Sequence, residues 1–137
     1  YGPSQKLHSK PYSKRRAVYG YIDRQNIAPT LNSFDFANPN IHAPQRVETT
    51  VPQQALFAFN HPFVIERSAT LARKAFDCLP ANAYTRVEFL YRQILSRNPG
   101  SDESKLGVEF LGSNANLANL EDLAQTLLVS NEFFFTD

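Results

Sequence analysis

Two stretches in the second half of the chain repeat apolar residues at the spacing of an amphipathic α-helix. In residues 84–97, and again after residue 119, apolar side chains recur at positions i, i+3, i+4, i+7 and i+8, which places them on one helical face. The two sets are Val87, Leu90, Tyr91, Ile94 and Leu95, and Leu120, Leu123, Ala124, Leu127 and Leu128. The pattern predicts one helix over Tyr84–Arg97 and another that Asn119 caps, with the two apolar faces buried in a common core.

Helix-start signals predict three further helices between residues 50 and 112. Each signal is followed by an apolar run. The signal is either a residue whose side chain accepts a hydrogen bond from the first turn or a proline, which the first turn tolerates. The predicted helices run over Gln53–Phe59, from Pro62 to about Phe76, and from Ser101 to about Leu111. Asn98, Pro99 and Gly100 are typical of a chain reversal between two of them.

The first 50 residues contain five of the nine prolines, so a long helix is not expected there. Residues 15–22 fit a short strand or two helical turns equally well. We therefore predict an all-α fold of about five helices in an antiparallel array, preceded by an extended, proline-containing N-terminal arm. The arm (residues 1–50) is expected to pack on the helical body (residues 51–137) as one domain. The absence of methionine predicts a fragment of a larger protein.

Composition adds a charge asymmetry to this picture. The chain is 42% hydrophobic and 20% charged, as in soluble globular proteins, and its formal net charge is +1. Residues 1–24 contain six lysines and arginines but only one acidic residue, Asp23. A basic leader can bind nucleic acid or an anionic surface, or it can simply be a solvated terminal arm. No apolar run approaches the roughly 20 residues that a membrane span needs.

The sequence offers little for catalysis or cofactor binding. Cys78 is the only cysteine, which excludes an intrachain disulfide, a multi-cysteine zinc site and a Cys-x-x-Cys-His haem attachment. The histidines, His8, His42 and His61, are far apart, and none of the common phosphate-loop, nucleophile-elbow or zinc-protease motifs occurs. We therefore predict no catalytic residue, cofactor or metal ligand in this chain, and interpret His61 as a residue that packs or hydrogen-bonds locally at a helix break.

Four polar residues lie beside apolar anchors and form the one candidate cluster: Arg16, Asp35, Arg46 and Asn60. If they converge, an arginine paired with Asp35 would fasten the arm to the helices. The alternative hypothesis makes the same cluster an anion-binding or catalytic pocket.

The same segments carry a family resemblance. In order, they are Arg15–Tyr19, Phe34–Pro39, Arg46–Thr50, Pro52–Leu56, Asn60–Val64, Leu90–Arg92, Leu95–Pro99 and Ser130–Phe134. This order resembles the C-terminal domain of unknown function (DUF1553, the PSD family) of planctomycete-type cytochrome c proteins, over roughly residues 11–137.

The resemblance implies a setting more than an activity. Such domains end long exported proteins that often carry a cytochrome c-like domain upstream, so haem is expected there, and the location is expected to be the periplasm or cell surface. The first functional hypothesis is therefore a non-catalytic packing or interaction module whose partners are upstream domains of the same polypeptide. The second is a contribution to an enzyme site shared with an upstream domain, with a substrate that is unknown or related to carbohydrate. The third is nucleic-acid binding by the basic arm.

Overall fold

The computed structural model describes residues 10–12, 16–34, 36–37, 40, 52–112 and 115–134. Within these residues, one 3₁₀ helix and seven α-helices occur and no strand is present, which confirms the all-α prediction. The 3₁₀ helix is Ala17–Tyr19. The α-helices are α1 (Pro29–Ser33), α2 (Pro52–Asn60), α3 (Pro62–Cys78), α4 (Ala83–Leu95), α5 (Ser101–Leu111), α6 (Leu117–Val129) and α7 (Asn131–Phe134).

The chain forms two compact units, Tyr1–Phe57 and Ala58–Asp137. In the first unit, residues 15–22 fitted a strand or a helix equally well. Within their described part, Ala17–Tyr19 form a short 3₁₀ helix, none of whose residues is buried. The rings of Phe34 and Phe57 meet edge to face with their centroids 5.1 Å apart. The packing of residues 1–50 and 51–137 as one domain stays a prediction.

The second unit is a helical array built around α3 and α6, which make its most extensive helix contact. Small residues allow the two helices to approach closely: Ser68, Ala72 and Ala75 lie on one face of α3 and are buried, as is Ala124 on α6. Helices α4 and α5 pack on each other and on this pair. The predicted stripe of α4 is confirmed, because Val87 and Leu90 are fully buried and Tyr91 and Ile94 nearly so.

Two helices of the second unit begin at asparagine side chains that accept a hydrogen bond from the first turn. Asn82 Oδ1 accepts from the N–H of Tyr84 at 2.9 Å at the start of α4. Asn116 Oδ1 accepts from the N–H of Asn119 at 2.7 Å at the start of α6. The prediction that Asn119 caps α6 is therefore wrong. Asn116 is the cap, so the helix starts at Leu117, three residues earlier than predicted, and the N–H of Asn119 is the donor to the cap.

The end of α4 also differs from the prediction, which extended this helix to Arg97. Helix α4 ends at Leu95, and Ser96 adopts a left-handed conformation with φ of 57°. A serine in this conformation is uncommon, since L-residues other than glycine and asparagine rarely adopt it. The chain therefore turns away from the helix axis one residue before Arg97.

Gly107 on α5 faces the fully buried Val87 of α4. A Cβ atom at residue 107 would lie 2.9 Å from Val87 Cγ1 and 3.0 Å from Val87 Cγ2, closer than side chains tolerate. Glycine at this position therefore sets the separation of α4 and α5, at the expense of helix propensity.

We predict that Gly107→Ala destabilises the protein. The overpacking should cost about 1–3 kcal/mol, which exceeds the gain of about 1 kcal/mol in helix propensity. Urea unfolding should show a lower midpoint for this variant, while Glu109→Ala, an exposed control on the same helix, changes little. In a Val87→Ala background, Gly107→Ala should stabilise instead. A stabilised single variant would show that the helices separate at no cost.

Candidate functional site

The four residues of the predicted polar cluster are only partly within the described part of the chain. Asp35 and Arg46 lie outside the described residues. Arg16 is exposed in the first unit, where its carbonyl accepts a hydrogen bond from the N–H of Tyr19 at 3.0 Å. Asn60 is exposed at the end of α2, in the second unit. The convergence of the four, as an ion pair or as a pocket, stays a prediction.

His61 has the local role that the sequence predicts. It precedes α3, and its Nδ1 accepts a hydrogen bond from the N–H of Phe63 at 3.2 Å. Partial burial lowers the pKa of His61 from its usual 6.5, which favours the neutral imidazole that this acceptor role requires. Cys78 is the exposed last residue of α3.

The Arg97 guanidinium, which sequence reasoning did not place in a cluster, is the centre of a polar network in the second unit. It makes two hydrogen bonds of 2.7 Å to the carboxylate of Glu103 on α5. It also donates to both carboxylate oxygens of Glu132 on α7. A fifth bond, of 3.1 Å, goes to the carbonyl of Asn98. Every N–H of the guanidinium therefore has an acceptor.

We name Arg97, Glu103 and Glu132, together with Tyr91, the Arg97 cluster. The Arg97 guanidinium lies over the Tyr91 ring, 5.5 Å from its centroid. Glu103 Oε2 additionally accepts the N–H of Gly100 at 2.6 Å, which satisfies one of the free donors at the start of α5. The cluster thus joins the end of α4, the start of α5 and α7.

Pairing shifts the proton affinities of the whole cluster. Hydrogen bonds from Arg97, and then the Gly100 N–H, lower the pKa of Glu103 from 4.5 to about 2. Hydrogen bonding to Arg97 also lowers the pKa of Glu132, and the two carboxylates raise the pKa of Arg97. Burial, followed by the charge of Glu103, raises the pKa of Tyr91. All four groups therefore keep one protonation state near neutral pH, as expected of a structural cluster.

A second arginine, Arg86 on α4, is buried in a different setting. Its Nη1 donates to the carbonyl of Ala115 at 2.9 Å, and its Nη2 donates to the carbonyl of Phe76 at 3.2 Å. Its guanidinium also lies over the Phe76 ring, 4.7 Å from the centroid. Among the described residues no carboxylate forms an ion pair with it, and its Nε has no hydrogen-bond partner there.

The position of Arg86 explains why a cation is tolerated there. The Phe76 carbonyl is among the last of α3, where the helix dipole carries partial negative charge. Arg86 thereby ties α4 to the end of α3 and to the segment between α5 and α6. This role is structural, and backbone carbonyl oxygens take the place that a carboxylate would have in an ion pair.

A concave surface of the second unit forms an open groove of about 540 Å³ beside α5. It brings the Tyr84 ring near Ser101, Lys105 and Glu109, with Val108 as an apolar wall.

Within the described residues, no group of three or more side chains is arranged to hold a metal ion. The same part of the chain contains no helix whose length and apolar character would suit a membrane crossing.

A concentrated apolar surface of the first unit begins within the 3₁₀ helix Ala17–Tyr19 and continues beyond it. Val18 is 74% exposed, Tyr19 67% and Tyr21 55%, and Ile22 is also exposed. We call Val18–Ile22 the exposed apolar segment. Such a concentration in five residues exceeds the scattered exposure that is normal on a surface.

Comparison with known families assigns the chain to one of them. Residues 2–111 match the PSD1 family model, described as a protein of unknown function (DUF1553). The chain is a member of this family. The match spans the exposed apolar segment, Arg86, Arg97 and Glu103, and it confirms the resemblance in the sequence. No curated protein and no solved structure matches the chain.

Part of the Arg97 cluster has a signal in the sequence, and part has none. Arg97 is part of the resemblance, within Leu95–Pro99, and Glu103 lies in the first turn of the helix that is predicted to begin at Ser101. Since Glu103 follows Gly100 by three residues, the spacing of a capping box was present in the sequence. Glu132, however, is 35 residues from Arg97, and only the packing of α6 and α7 brings the two together.

We predict that Arg97→Ala lowers stability at pH 7 more than Arg92→Ala, a control at an exposed arginine of α4. Arg92 is more exposed and makes one i,i+4 contact of 3.6 Å with Glu88, which contributes only about 0.3–0.5 kcal/mol. Because the pKa of Glu103 is lowered from 4.5 to about 2, its contribution is complete above pH 4.5 and is lost as the pH falls toward 2. The effect of Arg97→Ala, measured by urea unfolding, should therefore shrink below pH 4.5. Equal losses for the two variants at pH 7 would contradict a structural cluster.

Replacing Arg86 by methionine should cost about 2–4 kcal/mol, since two partly buried hydrogen bonds to carbonyls are lost. The free energy of unfolding in urea measures this loss. Arg73→Met, at an exposed position of α3, is the matched control and should leave stability nearly unchanged. An unchanged midpoint for Arg86→Met would mean that water replaces the guanidinium without penalty.

Proposed function

We propose that this DUF1553 chain is a non-catalytic packing and interaction module of an exported, cytochrome c-associated multidomain protein. In this proposal, preceding domains of the same polypeptide cover the exposed apolar segment Val18–Ile22. The location is the periplasm or the cell surface, where covalent haem proteins are assembled.

The observation that carries the proposal is the exposure of this segment. Four large apolar side chains lie at the surface within five residues, and the 3₁₀ helix that contains the first two of them buries none of its own residues. Removing such side chains from water is the main driving force of protein association, at about 25 cal/mol per Å² of apolar surface. Tyrosine is also enriched at interfaces, because its ring is apolar and its hydroxyl can bond at the rim.

The chemistry of the charged groups supports a scaffold. The strongly shifted carboxylate, Glu103, is occupied by Arg97, and the buried Arg86 is occupied by backbone carbonyls. Active sites, in contrast, keep a shifted group accessible to a reactant.

Haem, in this proposal, belongs to another part of the polypeptide. Covalent attachment needs the two cysteines and the histidine of Cys-x-x-Cys-His, and this chain has a single cysteine, Cys78. Cys78 at the end of α3 has no second thiol in the sequence with which to form that site.

We predict that the 137-residue chain co-purifies with the separately produced region that precedes it in the open reading frame. Tyr19→Ser should weaken this association. Leu106→Ser is the matched control, because Leu106 on α5 is 67% exposed, as Tyr19 is, but lies in the second unit. Isothermal titration calorimetry with each variant measures the difference.

Two results would count against the proposal. One is no association between the two regions at tens of micromolar. The other is equal loss of affinity for both variants, which would mean that apolar exposure in general, rather than the exposed apolar segment, causes the binding.

A further inference from the structure

The outward face of α5 carries a second exposed apolar surface, separate from the segment Val18–Ile22. Leu106 is 67% exposed and Phe110 is 52% exposed. Their i,i+4 spacing makes them neighbours on the helix surface. Burying an exposed leucine and phenylalanine would be favourable by about 1.5–3 kcal/mol each. This face therefore favours association with another apolar surface.

A row of exposed charged residues lies beside this apolar pair. In chain order it consists of Asp102, Lys105 and Glu109, with signs that alternate from negative to positive to negative. The Lys105 amine is 3.4 Å from Asp102, but the two side chains are 78% and 87% exposed, so this contact leaves the charges available.

The alternation is self-complementary when the helix meets a reversed copy of itself. In an antiparallel pair related by a two-fold axis at Gly107, Lys105 of each copy lies opposite Glu109 of the other. An axis one residue further along would place Leu106 opposite Phe110. With the axis at residue 107, these two side chains are therefore about 3 Å out of line along the helix, which is within the reach of both. In an antiparallel pair, the same flank of each helix lies on the same side of the interface. The two charged rows therefore face each other on one side, and the two apolar pairs face each other on the other side.

Other registers do not satisfy both sets of side chains. An axis between Glu103 and Ser104 would pair Asp102 with Lys105 across the interface but would leave Leu106 opposite Ser101. A parallel arrangement would instead place residues of equal number, and therefore of equal charge, at the same height. The register centred at residue 107 therefore pairs the charges directly and brings Leu106 and Phe110 of the two copies to within about 3 Å of alignment along the helix.

We propose that this face of α5 is a self-association surface, and that its occupant is α5 of a second copy of the chain. Since one helix face meets another, the interface belongs to the small class that buries less than about 1,200 Å², and association is weak and reversible. This proposal is independent of the function proposed above, because it concerns the chain alone and a surface in the second unit.

Charge reversal tests the register directly. In Lys105→Glu, two carboxylates oppose each other at both symmetric contacts, and in Glu109→Lys, two amines do so. Each single variant should associate about tenfold more weakly than the unmodified chain, since two favourable contacts become repulsive. An equimolar mixture of the two single variants should associate again, because both charge contacts of the mixed pair then join a carboxylate of one variant to an amine of the other. Sedimentation velocity of the 137-residue chain at increasing concentration, up to several hundred micromolar, measures all four samples.

Two further variants separate this surface from other routes to association. Leu106→Ser should also weaken self-association, while Tyr19→Ser, equally exposed but in the first unit, should leave it unchanged. Circular dichroism verifies that each variant keeps its helical content.

Each alternative outcome overturns the proposal. An unmodified chain that stays monomeric over the whole range excludes the surface as a self-contact. Association that survives both charge reversals, or a mixture that associates no better than the single variants, excludes the register. A Tyr19→Ser variant that alone abolishes association assigns it to the other segment. A failure of the proposed binding to upstream domains would leave these results on self-association unchanged. A failure of self-association would likewise leave the proposed binding to upstream domains untouched.

Discussion

The close contact of α3 and α6 is the constraint on which the second unit depends. Ser68, Ala72 and Ala75 bring small side chains to one face of α3, and Ala124 does the same on α6. Because small residues shorten the distance between helix axes, the leucines of α6 reach across to the residues of α4 and α5 that complete the core. The same logic recurs at Gly107, where a missing Cβ sets the approach of α5 to Val87.

Two arginines complete this framework at the ends of the helices. Arg86 lies deep in the unit and bonds to backbone carbonyls, whereas Arg97 is about one-third exposed and bonds to carboxylates. The difference follows from solvation: a buried carboxylate would itself need compensation, while the dipole of a helix end supplies negative charge that is already part of the fold. Both arginines join segments that lie at the margin of the apolar core, which is the behaviour of a scaffold.

Sequence periodicity was sufficient to predict the helices with a strong apolar stripe. Val87, Leu90, Tyr91 and Ile94 define α4 because burial on one face and helix spacing coincide, and the leucines of α6 do likewise. Helix ends were harder to predict. Ser96 takes a left-handed conformation although Gly100 and Asn98 nearby have the higher preference for it, and Asn116 and Asn119 are equally suited to cap α6. Tertiary packing decides between such competing residues.

The site was less accessible to sequence reasoning, for a physical reason. Arg97 and Glu103 are close in the chain, and a capping-box spacing could have linked Glu103 to Gly100. Glu132 is remote, and its contact with Arg97 exists only because α6 returns the chain to the end of α4. Asp35 and Arg46 of the predicted cluster lie outside the described residues, so their pairing stays a prediction.

Helix α7 shows the consequence of holding a segment by charge. Asn131–Phe134 buries none of its four residues, and the ion pair of Glu132 with Arg97 links it to the end of α4. The screening length of dissolved ions falls from about 10 Å at 0.1 M to about 3 Å at 1 M ionic strength, so only concentrated salt weakens an exposed pair in direct contact. The apolar contact of α3 with α6 carries no charge for the ions to screen. In concentrated brine we therefore expect the last turn of the chain to loosen while the other helices stay packed, so that salinity, rather than heat, selects which part of the unit is ordered.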